Sequence, residues 1–164
     1  MFGFLSGNKR AKASDEVLAP PYDPVFHYLY WRVVNGHVPL YQAEVPLALI
    51  RPFAPTFKPH HTELGRKVIN GMVRTYREGT LRLPLWLYPT LDAFVVSDDY
   101  LIFYALKELG VQSFQCEVMG KPSIAGVSGI KGPAPIEFVR ALPNGPDYNP
   151  SKQKYQVIKE VPGD

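Results

Sequence analysis

One cysteine, Cys116, leaves no partner for an intramolecular disulfide and no framework of the kind that staples small secreted domains. Long apolar runs are absent too, and nothing approaches the roughly twenty residues that a membrane span needs. Nor does one charge sign dominate. Against 15 acidic residues there are 18 basic ones, a formal net charge of +3, and residues 43–120 hold eight of each. A duplex-binding domain concentrates positive charge on one face, and nothing here does so strongly. Met1 to Arg10 puts its apolar residues ahead of its charges and is too short for a signal peptide. These absences predict a cytoplasmic chain kept in a reducing compartment.

What is present is a core and a great deal of punctuation. Apolar residues make up 46% and aromatic residues 13% of the chain, enough to exclude wholesale disorder. Its 164 residues suit one domain with extensions. Residues 1–24 end in Pro20, Pro21 and Pro24 and read as an extended lead-in. Within it Phe2, Phe4 and Leu5 followed by Lys9, Arg10 and Lys12 suit a weak docking peptide or a frayed terminus. Residues 25–34 are dense in β-branched and aromatic types and precede Asn35-Gly36, so residues 25–44 read as a β-hairpin. Val45 to Ile50 reads as a strand. A helix then starts at Thr62, buries Val68, Ile69, Met72, Val73 and Tyr76, and stops at Gly79. Strands are expected over residues 83–88, 93–96 and 113–118. Between the last two, a helix capped by Ser97 or Asp98 buries Leu101, Ile102, Ala105, Leu106 and Leu109 and ends at Gly110. Residues 121–164 turn Pro- and Gly-rich, with strand character only at 136–142 and 154–159.

That order resembles the ParB/sulfiredoxin-like domain, on the segments AEVPLALIRP, VINGMVRTYREGTLRLPLWLY and FVVSDDYLIFYALKELGVQSFQCEVMG. The resemblance implies an α/β (α+β) fold over residues 45–120, with a small mixed sheet and two main helices. Family members with chemistry carry Asp-Gly-x-x-Arg and a downstream Ala where the short strand turns into the second helix. The Gly lets backbone approach a phosphate, the helix N-terminus offers N–H groups and the Arg supplies charge. Here the turn reads Ser97, Asp98, Asp99, Tyr100, Leu101, Ile102, with Ala105 in register. The Gly has become Asp99, the Arg has become Ile102, and Tyr100 stands where sulfiredoxin-like members place their reactive cysteine. At about 5 Å and an effective dielectric near 20, Asp99 would repel a phosphate charge by roughly 3 kcal/mol. The resemblance therefore implies a degenerate nucleotide site rather than a working one.

Other candidates weigh less. Asp98 and Asp99 have the oxygen chemistry of a divalent-cation site, but carboxylates at a helix start ordinarily offset its dipole. His60, His61 and Glu63 share a loop, and His27 and His37 would face each other across the hairpin; neither set has zinc-site spacing. Cys116 reads as a small core residue. Arg66, Lys67, Arg74 and Arg77 form the best candidate binding surface, for an acidic partner or a nucleic-acid backbone. Phe26, Tyr28, Tyr30 and Trp31 could stack bases, although only Arg32 accompanies them. The reading is a non-catalytic binding or assembly module (a pseudoenzyme) with a protein partner, weak nucleic-acid affinity, dimerisation through the hairpin edge, and no catalytic residue, cofactor or metal. A DNA-associated partition-like protein and a divergent metal-dependent nucleotide- or nucleic-acid-processing enzyme remain as alternatives.

Overall fold

The computed structural model describes residues 18–79, 83–142 and 145–149. Its first element corrects the hairpin: residues 25–34 belong to helix α1 (Pro24–Val34). Asp23 caps it, accepting from the N–H groups of Val25 and Phe26 at 3.0 and 3.3 Å. Pro24 sits in the first turn, where a missing N–H costs nothing. Phe26, Leu29, Tyr30 and Val33 recur at helical spacing and pack on the sheet. Burial of that stripe outweighs the strand preference of its residues. Asn35-Gly36 ends this helix instead of turning a hairpin. Gly36 adopts φ 78, and the N–H groups of Gly36 and His37 donate to the carbonyls of Val33 and Arg32 at 3.0 and 2.8 Å, the paired closure of a Schellman stop. The hairpin edge expected to mediate dimerisation therefore does not exist.

The chain continues as β1 (Leu40–Pro46), a 3-10 turn at Leu47–Leu49, and β2 (Ile50–Pro52). The single strand expected over residues 45–50 is thus two, set far apart in the sheet. A second 3-10 turn (Pro59–His61) leads into α2 (Glu63–Glu78), capped by the Thr62 hydroxyl on Gly65 N–H and closed by Gly79 in the left-handed region. Then come β3 (Leu85–Pro89), β4 (Phe94–Val96), α3 (Tyr100–Leu109), β5 (Ser113–Met119), β6 (Ser128–Lys131) and α4 (Ile136–Ala141). Of residues 136–142, expected as a strand, Ile136–Ala141 are helical, with Val139 drawn into the cluster under α1. Arg140 donates to the Val34 carbonyl at the C-terminal end of α1, where a cation is favoured. The strand expected at 154–159 and the peptide at residues 2–12 lie outside the described residues.

Among the described residues six strands form one mixed sheet in the order β2-β4-β3-β5-β1-β6. β3 pairs parallel with β5 and antiparallel with β4, while β1 lies antiparallel to β5. One face carries Ala43, Val45, Leu85, Leu87, Phe94, Val96, Phe114, Cys116 and Val118 against Ile102, Phe103 and Leu106 of α3, with Met72 and Tyr76 of α2 alongside. The other carries Leu40, Trp86, Tyr88 and Met119 against α1 and α4. A sheet covered on both faces explains why β3 is an unbroken apolar run. Buried Cys116 has a thiol pushed well up by desolvation, as a core residue should. The fold is mixed α+β, and no helix among the described residues is long and apolar enough to cross a membrane.

Glu117 is the exception on the second face. It is buried at 2% exposure, beside Trp86 on β3 and Gln42 on β1. Gln42 Nε2 donates to its Oε1 at 2.9 Å, while Oε2 and the neighbouring Trp86 Nε1 have no hydrogen-bond partner. Burial pushes its pKa up to about 7, opposed by the Gln42 bond. The folded chain therefore holds a proton that the unfolded chain releases above its ordinary value of 4.5. This contribution is full below that value and is lost as pH rises through about 7. Urea denaturation should show about 3 kcal/mol lost from this group across that window, and Glu117→Gln should remove that part of the slope.

Candidate functional site

The turn between β4 and α3, where the family resemblance implies a phosphate site, is held by carboxylate and phenol contacts. Antiparallel pairing of β3 with β4 stops at Tyr88–Val95, because the chain leaves the sheet at Ser97. Trp86, two residues earlier on β3, consequently has an N–H beyond the last β4 pair. Asp99 Oδ2 accepts it at 2.8 Å, standing in for a strand carbonyl. Asp99 is also the residue that begins α3, yet its side chain makes no capping bond to that helix. The expectation of a cap from Ser97 or Asp98 is corrected in the same way, since Ser97 is fully buried and its hydroxyl donates to Asp23 Oδ2 in a short bond.

Asp23 thus meets the turn from α1. Its Oδ1 caps that helix, and its Oδ2 accepts from both Ser97 and the Tyr88 hydroxyl, the latter at 2.7 Å. Burial, with Asp23 adding, pushes the Tyr88 phenol well above its usual range. Asp98 points elsewhere. It is solvent-exposed along much of its surface, and its pKa is raised by desolvation against nearby His27, which opposes the shift, and Asp23, which adds to it. Asp98 and Asp99 serve different neighbours, and among the described residues no three His, Cys, Asp or Glu side chains cluster to hold a metal ion.

Tyr100 closes the turn from the other side. At 1% exposure its ring meets Phe57 edge-on at 5.1 Å, and its hydroxyl accepts the Ala54 N–H at 2.7 Å. Tyr104, one helical turn on, donates to the Phe57 carbonyl at 3.3 Å. These two phenols pin the proline-rich loop after β2 onto the start of α3. Burial raises both pKa values, so both stay protonated at neutral pH. The loop continues into Pro59–His61, which packs so closely on α2 that a Cβ at Gly65 would lie 1.9 Å from the Pro59 carbonyl oxygen. His60 rests on Tyr104 at 4.3 Å; desolvation, then His61 and Arg66, lower its pKa. Ile102 is 7% exposed and belongs to the main core, and Ala105 packs on Ile69 and Val73. Where the resemblance implies an arginine, there is hydrocarbon.

The remaining candidates separate. Arg66 pairs with Glu108 of α3, tying the two helices together, while Lys67, Arg74 and Arg77 lie exposed along α2. Phe26 and Tyr30 are packing residues under α1, whereas Tyr28 and Trp31 are exposed at 62% and 59%. With Tyr22, His27, Arg32 and His37 they line a surface groove. His27 and His37 do share a site, across a helix rather than a hairpin. Spacing alone did not reveal that groove, although the i, i+4, i+7 series Pro24, Tyr28, Trp31 carried the signal.

Because Asp99 completes the β3 ladder, the turn's acidic residue has a structural cost of removal. Asp99→Gly should lose about 1.5–3 kcal/mol in urea denaturation, whereas Asp99→Asn, which keeps an acceptor, should lose well under half of that. Equal costs would mean that a neutral amide oxygen does not replace the carboxylate, since asparagine adds none of glycine's backbone freedom.

No family model matches the chain, and no curated protein matches it. Among solved structures, sulfiredoxin from Arabidopsis thaliana is similar at 16% identity with a TM-score of 0.41, over 49% of this chain and 85% of that one. A likeness of that extent assigns no activity to this chain.

Proposed function

We propose that the chain is a non-catalytic binding or assembly module whose turn at residues 97–102 has been converted from a ligand site into a structural joint. The supporting observation is the closure by Tyr100: its ring and hydroxyl occupy the space between α3 and the loop after β2. A phosphate entering the family-like position would meet the Asp99 carboxylate and no arginine, since Ile102 lies in the core. Opening the turn would break the bonds to Ala54 and Trp86 together. Partition-like DNA association draws little support from a chain with one basic residue per acidic residue over 43–120. Metal-assisted catalysis would need Asp98 and Asp99 to converge, and Asp99 is engaged with the sheet.

Thermal denaturation with magnesium and ATP, CTP or GTP tests this reading. A working site at a ligand level a hundred times its dissociation constant would contribute about 2.7 kcal/mol, roughly 5–10 °C for a chain of this size. We expect no shift. A shift of several degrees, abolished by Tyr100→Trp, would restore a ligand-binding turn and overturn the module reading.

A further inference from the structure

The groove on the outer side of α1 has the features of a peptide-docking surface. It is an open groove of about 460 Å³ lined by Tyr22, His27, Tyr28, Trp31, Arg32 and His37, with Pro24 and Asn35 beside them. The three large rings are well exposed: Tyr22 at 70%, Tyr28 at 62% and Trp31 at 59%. They are also held in place. Tyr22 stacks on His27 with centroids 4.7 Å apart and planes 19° apart, Tyr30 meets Trp31 edge-on at 5.7 Å, and the Arg32 guanidinium sits over Tyr28 at 5.4 Å. Fixed rings lose little freedom on binding, which favours recognition over indiscriminate stickiness.

Charge narrows the occupant. The residues lining the groove include a permanent cation and two histidines and no carboxylate; Asp23, between Tyr22 and Pro24, is buried and accepts from Val25, Phe26, Tyr88 and Ser97, and Asp98 interacts with His27. A single-stranded nucleic acid needs a run of cations to track its phosphates, and this groove has one arginine. An extended proline-rich peptide needs something different: flat aromatic walls for its rings, and donors for carbonyls that make no internal hydrogen bonds. Tyr, Trp and His side chains provide both, and Arg32 selects an acidic neighbour. We propose that this groove binds an extended, proline-rich segment carrying acidic residues, supplied by a partner protein. The inference deepens the binding-module reading and rests on it, but the two fail separately. Nucleotide binding at the turn would sink the module, whereas a silent groove would sink only this proposal.

Trp86 is buried and Trp31 is exposed, so intrinsic tryptophan emission changes on binding report on the groove. The full chain would be titrated by fluorescence and calorimetry with a glutamate-flanked polyproline peptide, its lysine-flanked counterpart and oligo(dT). The glutamate-flanked peptide should bind at least tenfold more tightly than the lysine-flanked one. Trp31→Ala should weaken it by about tenfold or more, and Arg32→Glu should reverse the flank preference, with circular dichroism unchanged because both side chains are exposed. Binding of oligo(dT) in preference to both peptides would assign the groove to nucleic acid and overturn the proposal. Equal affinity for the two peptides, or no binding of either, would overturn it as well.

Discussion

A single buried carboxylate, Asp23, joins the parts of this molecule that matter for its reading. One oxygen starts α1, and the other receives hydroxyls from the end of β3 and from the turn before α3. A carboxylate at 1% exposure is tolerable only with such partners. Its position therefore dictates where α1 lies on the sheet, and with it the groove on that helix's outer side. The same contact fixes Ser97, so the turn that follows leaves the sheet in one direction. Asp99 and Tyr100 then complete the joint, each bonding to backbone that regular structure leaves without a partner at that point.

That arrangement gives a physical reason for three residues of the turn that look arbitrary in sequence. A glycine at position 99 could not supply the Trp86 N–H with an acceptor, and an arginine at position 102 would be driven into the hydrocarbon core around Phe94 and Phe103. A small side chain at position 100 would leave the loop after β2 without its anchor. Asp99, Tyr100 and Ile102 belong to one packing solution. On α1, by contrast, aromatic rings and Arg32 remain in solvent.

Helices with caps and breakers were legible beforehand. Thr62, Gly79 and Gly110 bracket α2 and α3, and apolar spacing placed Ile102 and Ala105 inside. The first helix is disguised because seven of the ten residues ahead of Asn-Gly are valines or Phe, Tyr and Trp, which imitate a hairpin. Asp23-Pro24 and the spacing Phe26, Tyr30, Val33 carried the opposite signal, and burial decided between them. The strand read at residues 136–142 failed for the same reason, since Val139 gains a core contact only once α1 is in place. What no local pattern could reveal are contacts between distant segments. Ser97 meets Asp23 across 74 positions and Tyr100 meets Ala54 across 46, and both depend on the sheet having assembled.

The closed turn is the claim on which the functional reading stands, and the Ala54 amide reports on it directly. That N–H lies in a loop, outside helix and strand, and its acceptor is the Tyr100 hydroxyl. Native-state hydrogen exchange should therefore find Ala54 protected well above its loop neighbours, with protection lost in Tyr100→Phe while the core strands keep theirs. Exchange at Ala54 as fast as in an unfolded peptide, and unaffected by that substitution, would mean that the loop stands away from α3 and the turn is open to a ligand.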